Sequence, residues 1–446
     1  MTETSETVRT VAILSTGDEV VQGRIVDTNA AYIADRMARL GLDVVVQFTV
    51  GDYPERLEWA WRTALERADV IISTGGLGPT ADDLTNETLG RVAGVKLVLD
   101  EEQADRIRRL FQSLGRPMPD NNLRQAMLPE GAVVVPNGLG TAPGYRLSIP
   151  VGARSPVAVV LPGVPRELKP MLEESVEPWL AARLGDGRSV VSRTFQTFGM
   201  SESAVDEAVA DLIDPAEGRV AFRASFPEIS VRLTVIGEEG EARERLRILG
   251  DRIAERLGPA VYAEGADTKM EAVVGDLLRS RKLHLTTAES CTGGLIGSRV
   301  TDVPGSSDYY AGGVVAYSNH LKEHLLGVSK TTLAMFGAVS EETACEMASG
   351  ARKAAGADIA VATTGIAGPG GGTPENPVGT VAIALASAGT NGDELVLSKM
   401  YRLWGTRDWV KILTSQVALD WVRRHVLGLD PLDSNFGRRT GRRARG

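Results

Sequence analysis

A serine stands where a strand-like run, Leu283–Ala288, gives way to a helix-like pattern, Gly293–Val300, in the segment Glu289-Ser290-Cys291-Thr292-Gly293-Gly294. A serine at such a turn lies on the rim of a sheet, beside the positive end of a helix and its unpaired amides. Those amides suit an oxyanion or a phosphate, and Gly293 and Gly294 let a ligand approach the backbone closely. The plain alternative is a helix cap, because Ser and Thr are preferred at helix starts. Neighbouring residues favour chemistry. Tyr317-Ser318-Asn319, with Lys322 beyond it, follows another strand-like run, Gly313–Tyr317. Thr364-Gly365 opens a loop too glycine-rich for regular structure, and Arg407 opens the last helical pattern. A nucleophilic serine needs a base. His320 and His324 fall on the helix that starts near Ser318. Lys322 is the better candidate, since burial lowers a lysine's pKa, and Tyr317 can relay or hold the proton.

The first 280 residues contain no histidine. Chemistry there falls to carboxylates, hydroxyls, lysine, backbone amides and metal ions. Thr74-Gly75-Gly76-Leu77-Gly78-Pro79-Thr80 follows a short strand-like run, Asp69–Ser73. Gly75, Gly76 and Gly78 permit positive φ, and exposed amides in such a turn, with the Thr80 hydroxyl, suit phosphate oxygens. Asp82 and Asp83 follow at once. Carboxylates beside a phosphate cradle repel the ligand unless a cation lies between them. A divalent metal bridging to a diphosphate is therefore expected, with Asp52, Asp82 and Asp83 as its candidate ligands. The alternative is turn punctuation by Gly, Pro and Asp.

These residues need rims to stand on, and the chain supplies them. Strand-like runs at Val8–Ser15, Val44–Val50 and Asp69–Ser73 alternate with helical spacing at Asn29–Leu40 and Pro54–Arg67, and the pattern continues to Val157–Leu161 and a helix from Pro165. Such alternation implies a parallel sheet covered by helices on both faces. The texture changes after a linker-like turn at 185–188. A helix at Ser201–Leu212, a hairpin from Val220–Phe226 and Ile229–Ile236, and a long charged helix at Glu241–Leu257 form a small α+β unit without clustered catalytic residue types. A second α/β unit begins near Asp267 and closes with a helix at Thr406–Val426.

With 446 residues, two to four domains are expected. No apolar run is long enough to span a bilayer, the first ten residues lack a signal-peptide core, and two cysteines are too few for a disulfide framework. A cytoplasmic location without membrane contact is the expectation. The net charge of −9 speaks against general nucleic-acid binding. The exception is 434–446, with five arginines and no acidic residue, which reads as a disordered basic tail or an arm for an acidic partner.

Gly17-Asp18-Glu19, Asp27-Thr28-Asn29, Thr74 to Thr85, Gly140 to Gly144 and Leu161 to Glu167 resemble the N-terminal domain of CinA proteins, a relative of the molybdopterin-binding fold. The resemblance implies metal-dependent hydrolysis of ADP-ribose to AMP and ribose 5-phosphate, with Asp83 matching the aspartate of the metal and nucleotide chemistry. Ala288 to Gly294, Gly313 to Asn319 with Lys322, and Thr364 to Pro374 resemble the C-terminal CinA domain, which also occurs alone as nicotinamide mononucleotide deamidase. That resemblance implies catalytic roles for Ser290, Tyr317 and Lys322 and substrate contact by Thr364 and Arg407. Where the family often has a second arginine, Lys411 stands here, and a two-point clamp on phosphate is lost.

The resulting expectation is an α/β protein in three parts: a molybdopterin-binding-like domain over 8–172, a small α+β connector over 173–263 and an α/β amidohydrolase domain over 264–428. It would act as a bifunctional nucleotide hydrolase of NAD recycling. The deamidase site would use Ser290, Tyr317 and Lys322, with Thr292, Gly293, Gly294, Thr364, Gly365 and Arg407 around the substrate and no cofactor. The first site would use Gly75, Gly76, Gly78 and Thr80 with a divalent metal on Asp52, Asp82 and Asp83. A homo-oligomer, most simply a dimer, is expected, with the tail free to meet an acidic or DNA-repair partner. Two alternatives stay open: a molybdenum-cofactor-related binding protein, which leaves Ser290, Tyr317 and Lys322 unused, and a non-enzymatic regulator of competence or recombination.

Overall fold

The computed structural model describes residues 7–184, 188–389, 393–433 and 442–445. The first domain is built on a six-stranded sheet in the order Asp43–Val50, Thr10–Thr16, Val70–Thr74, Val157–Leu161, Gly144–Ser148, Val133–Val135. The first four strands pair in parallel, and the last two pairings, through Gly144–Ser148, are antiparallel. Consecutive residues of the central strands are buried on opposite faces. Leu14, Ile71 and Val160 pack with Trp61 on one side, while Ile13, Ile72 and Val159 pack with Ile33 and Met37 on the other. That two-sided burial is why these strands read as unbroken apolar runs. The four parallel strands end together at Thr16, Val50, Thr74 and Leu161, so the loops that follow share one rim.

The last domain repeats the layout with another chain order. Its sheet runs Tyr310–Val315, Leu285–Glu289, Ile359–Gly365, Thr380–Ala388, Glu394–Arg402, Arg442–Arg445. Only its first three strands are joined by parallel pairing, and the other neighbours pair antiparallel. The parallel sheet expected of the first domain thus carries two antiparallel pairings at one side, and the sheet of the last domain carries three. The physical reason is the connections: a strand that returns through a loop without a crossover helix pairs antiparallel with its predecessor, as Thr380–Ala388 does with Ile359–Gly365. One face is covered by Glu341–Ala355, which packs against alanines including Ala288, Ala360, Ala362 and Ala384. The other is covered by Arg407–Val426, buried along almost its whole length, whose Asp420 is paired with both Arg423 and Arg424.

Between these sheets in sequence lies a four-stranded sheet, Arg219–Ser225, Glu228–Glu238, Arg188–Thr197, Val261–Glu264. By contacts the chain forms two compact units: residues up to 192 with 235–245, and 193–234 with 246 onward. Most of the small α+β region is therefore packed as one body with the last domain. Arg423 donates to the Pro259 carbonyl and Gln416 to the Glu228 carboxylate, both at 2.8 Å. The basic tail differs from the disorder expected of it at 442–445, which pair as a strand with Glu394–Arg402; its other residues lie outside those described. Among the described residues no helix is long and apolar enough to cross a membrane.

Candidate functional site

The strand Leu285–Glu289 delivers Ser290 to the rim of the last sheet. Ser290 is not a helix cap. The helix that follows, Leu295–Thr301, has Gly294 at its cap position. Its amides are held by the buried Glu289 carboxylate, which accepts from Gly294, Ile296 and Gly297 at 2.8–3.1 Å. The Ser290 hydroxyl instead accepts from Lys322 Nζ at 3.0 Å. Lys322 lies on the helix Asn319–Leu326, is only 2% exposed and donates to the Ala316 carbonyl as well, also at 3.0 Å. Burial away from water pushes its pKa below the ordinary lysine value. Lys322 Nζ and Ser290 Oγ thus form a buried amine–hydroxyl pair 3.0 Å apart. Burial pushes the adjacent Cys291 thiol up to about 12, so this sulfur stays protonated near neutrality and is no rival nucleophile.

Ser290 and Lys322 open into a cleft of about 210 Å³ whose wall includes Tyr317, Asn319, Thr364 and Arg407. Arg407, the first residue of the closing helix, donates to the Gly368 carbonyl at 2.7 Å and the Tyr317 hydroxyl at 2.9 Å. Thr364 donates its hydroxyl to the Ala338 carbonyl at 2.6 Å and so fixes the loop on the far side. The cleft thus joins a buried hydroxyl–amine pair to the Arg407 guanidinium.

The first domain carries a larger cleft, about 570 Å³, at the rim where its parallel strands end. Gly75 and Gly76 adopt φ of 103° and 66°. A Cβ on Gly75 would stand 2.5 Å from the Thr16 carbonyl oxygen, so with its positive φ only glycine fits that turn, and one on Gly78 would come 2.3 Å from Asp83 Oδ2 and displace that carboxylate. The Asp83 carboxylate accepts from the Thr80 amide and hydroxyl at 2.9 and 2.6 Å. Asp52 accepts from the Asp18 amide at 3.1 Å. Burial, followed by the charges of Asp18, Glu19 and Asp82, raises the Asp52 pKa. Ser15 Oγ, Asp27 Oδ2 and Asn29 Oδ1, on residues of the cleft wall, are buried without a hydrogen-bond partner. Crowded carboxylates and orphaned oxygens fit a cation with its polar ligand. Among the described residues no three His, Cys, Asp or Glu side chains are grouped closely enough to hold an ion by themselves. A metal here would complete its shell with water and substrate oxygens.

Three family models match the chain: the probable molybdopterin binding domain over residues 12–182, the damage-inducible protein CinA KH domain over 192–263 and the CinA C-terminal domain over 267–426. The chain is 44% identical over 421 residues to a CinA-like protein of Geotalea uraniireducens, covering 94% of this chain and 98% of that one. It is 45% identical over 420 residues to a competence-damage inducible protein of Acetivibrio thermocellus, with the same coverage. The chain belongs to the CinA family. Among solved structures, the competence/damage inducible protein of Agrobacterium tumefaciens is 39% identical over 36% of this chain and 97% of its own, with a TM-score of 0.32.

In this CinA chain the last cleft gathers Ser290, Tyr317, Lys322, Thr364, Gly365 and Arg407 in its wall, and leaves out Thr292, Gly293 and Gly294. Thr292 is fully buried and its hydroxyl is bonded to that of Thr363 at 2.9 Å. Gly293 and Gly294 take positive φ, and their amides are committed to Ser290 O and Glu289. The idea that the whole Ser290–Gly294 turn offers its amides is corrected accordingly. Among the described residues, only the Cys291 and Thr292 amides of that turn are without a protein acceptor. Tyr317 is 61% exposed and bonded to Arg407, not to Lys322. His320 and His324 stack on each other, 3.9 Å between ring centroids, outside the cleft wall. The first cleft gathers Gly75, Gly76, Gly78, Asp52, Asp82 and Asp83, while Thr80 stands behind it as the partner of Asp83. Sequence reasoning missed the capping role of Glu289. The signal was available, since an acidic residue six positions ahead of a helix whose cap position is glycine is a candidate substitute.

Proposed function

We propose that the last domain hydrolyses the carboxamide of nicotinamide mononucleotide to nicotinic acid mononucleotide and ammonia. The observation that carries this reading is the buried contact of Lys322 Nζ with Ser290 Oγ at 3.0 Å, at the end of a cleft with Arg407 at its mouth. Ser290 Oγ attacks the carboxamide carbon and Lys322 takes its proton. The amides of Cys291 and Thr292 receive the developing oxyanion. The carbon–nitrogen bond breaks as Lys322 returns the proton to nitrogen, and ammonia leaves. Water, losing a proton to Lys322, then hydrolyses the acyl-serine, and Ser290 recovers its proton as the acid departs. Arg407, a planar donor, suits the nucleotide phosphate.

For the first domain we propose hydrolysis of ADP-ribose to AMP and ribose 5-phosphate. Asp52, Asp82 and Asp83 would hold a divalent ion, which neutralises diphosphate charge when bound. The turn at Gly75, Gly76 and Gly78 would hold the phosphate oxygens. The two activities would meet in NAD recycling.

The test is to incubate the purified full chain with nicotinamide mononucleotide, and separately with ADP-ribose and a divalent ion, and to identify the products. Ammonia with nicotinic acid mononucleotide, and AMP with ribose 5-phosphate, are expected. Unchanged nicotinamide mononucleotide overturns the first reading, and unchanged ADP-ribose across Mg²⁺, Mn²⁺ and Co²⁺ overturns the second.

A further inference from the structure

The hairpin of the small sheet reaches the element that carries Arg407. Phe226 and Pro227 form its tip, since Ser225 pairs with Glu228 across the two strands. The Phe226 ring stacks on Trp409, with centroids 4.3 Å apart and planes 25° from parallel. The indole also lies against its own chain: a Cβ on Gly405 would come within 2.8 Å of Trp409 Cε3. Gly405 takes a φ of 97°, where a side chain is strained, so this turn is shaped to receive the ring. Thr406 caps the helix by accepting from the Trp409 amide. Arg407 sits between these two residues. Trp409 is thus held between a hairpin tip and the turn from which Arg407 projects.

A second hold lies one step along the same hairpin. Glu228 accepts from Gln416 at 2.8 Å, and Gln416 in turn accepts from Arg299 at 2.6 Å. Gln416 belongs to the same helix as Arg407, so the hairpin grips that helix at two places more than one turn apart. Phe226 and Trp409 remain 41% and 44% exposed. Little core burial depends on the stack, so its loss should shift the helix start more than it unfolds the domain. Ser290 at its strand end and Lys322 on the helix Asn319–Leu326 hold each other, and neither Phe226 nor Trp409 is among the residues lining their cleft.

We propose that Phe226, seated on Trp409, is a positioning residue for the deamidation site, fixing the helix start that presents Arg407 and so setting substrate affinity. The proposal rests on the deamidase reading above. It gives the small domain a part in the last domain's chemistry.

The experiment is steady-state deamidation of nicotinamide mononucleotide by the full chain, wild type against Phe226→Ala and Phe226→Tyr, with thermal midpoints measured in parallel. Phe226→Ala should raise KM about fivefold with kcat within about twofold, as expected when a group aligns a binding residue and leaves the chemical step alone. Phe226→Tyr keeps the stacked ring and should keep the wild-type KM. An unchanged KM in Phe226→Ala overturns the proposal, as does a loss confined to kcat or a Tyr variant as impaired as the Ala variant. A wild-type chain without deamidation defeats the underlying reading and this inference with it, whereas an active wild type with an indifferent Phe226→Ala defeats the inference alone.

Discussion

The two clefts sit at equivalent places, the carboxyl-end rim of a sheet whose first strands are parallel, yet they solve the problem of charge in opposite ways. The first is wide and lined by carboxylates that repel one another, as the raised pKa of Asp52 records. Among the described residues its wall includes no lysine or arginine. The last is smaller and sets Arg407 apart from a buried Lys322, whose charge is disfavoured by burial. One rim therefore crowds negative charge, while the other disfavours the positive charge of a buried amine. What differs is the side chains that the strand ends deliver.

The largest effect that would sharpen this contrast belongs to Ser290. Ser290→Ala should lower kcat for deamidation by roughly 10³-fold with KM nearly unchanged, and leave ADP-ribose cleavage at its wild-type rate. Near-normal turnover would make the serine a phosphate contact and place an activated water in its role. On the other side, Asp83→Ala, or chelation of the divalent ion, should lower ADP-ribose cleavage by about 10²-fold or more while deamidation proceeds unchanged. Because Asp83 also ties down Thr80, Asp83→Asn belongs beside it. The amide keeps an acceptor and removes the charge, so a rate restored in Asn would assign Asp83 to loop geometry.

A smaller effect should appear in pH. The Lys322 pKa is lowered, so the neutral base persists below the range of an ordinary lysine. Deamidation should be full above that lowered pKa and fall as pH drops through it and the amine gains a proton. The first site should also lose activity on acidification, because a raised Asp52 pKa means that its carboxylate is neutralised earlier than an ordinary aspartate. Saturating divalent ion should shift that loss to lower pH, and should not move the deamidation profile. Rate–pH profiles of both reactions, with and without excess metal, check the pair. Least in size, Arg407→Lys should raise KM for nicotinamide mononucleotide by about tenfold. A lysine cannot reproduce the fork that reaches both Gly368 and Tyr317. Unaltered KM would remove Arg407 from substrate binding.

Much of this contrast was legible in the chain itself. The absence of histidine before His284 excluded imidazole chemistry from the first domain. Gly75 and Gly76 announced a turn that strains any other residue, because φ is a local property. The apolar runs around Ile13, Ile72 and Val159 marked strands buried on both faces, and Ser290 was legible as a rim residue from the switch of period beside it. Tertiary structure alone decided what each candidate does. Ser290 and Lys322 are 32 residues apart in sequence, and only the pairing of their strand ends brings a hydroxyl and an amine to 3.0 Å. Whether Ser290 caps a helix depended on where the Glu289 carboxylate turned. Whether Tyr317 meets Lys322 or Arg407 depended on the helix arriving ninety residues later. Local preference sets which turns and elements can form, but hydrogen-bond partners and desolvation belong to the packed assembly, because both depend on groups that sequence separation keeps apart until the chain folds.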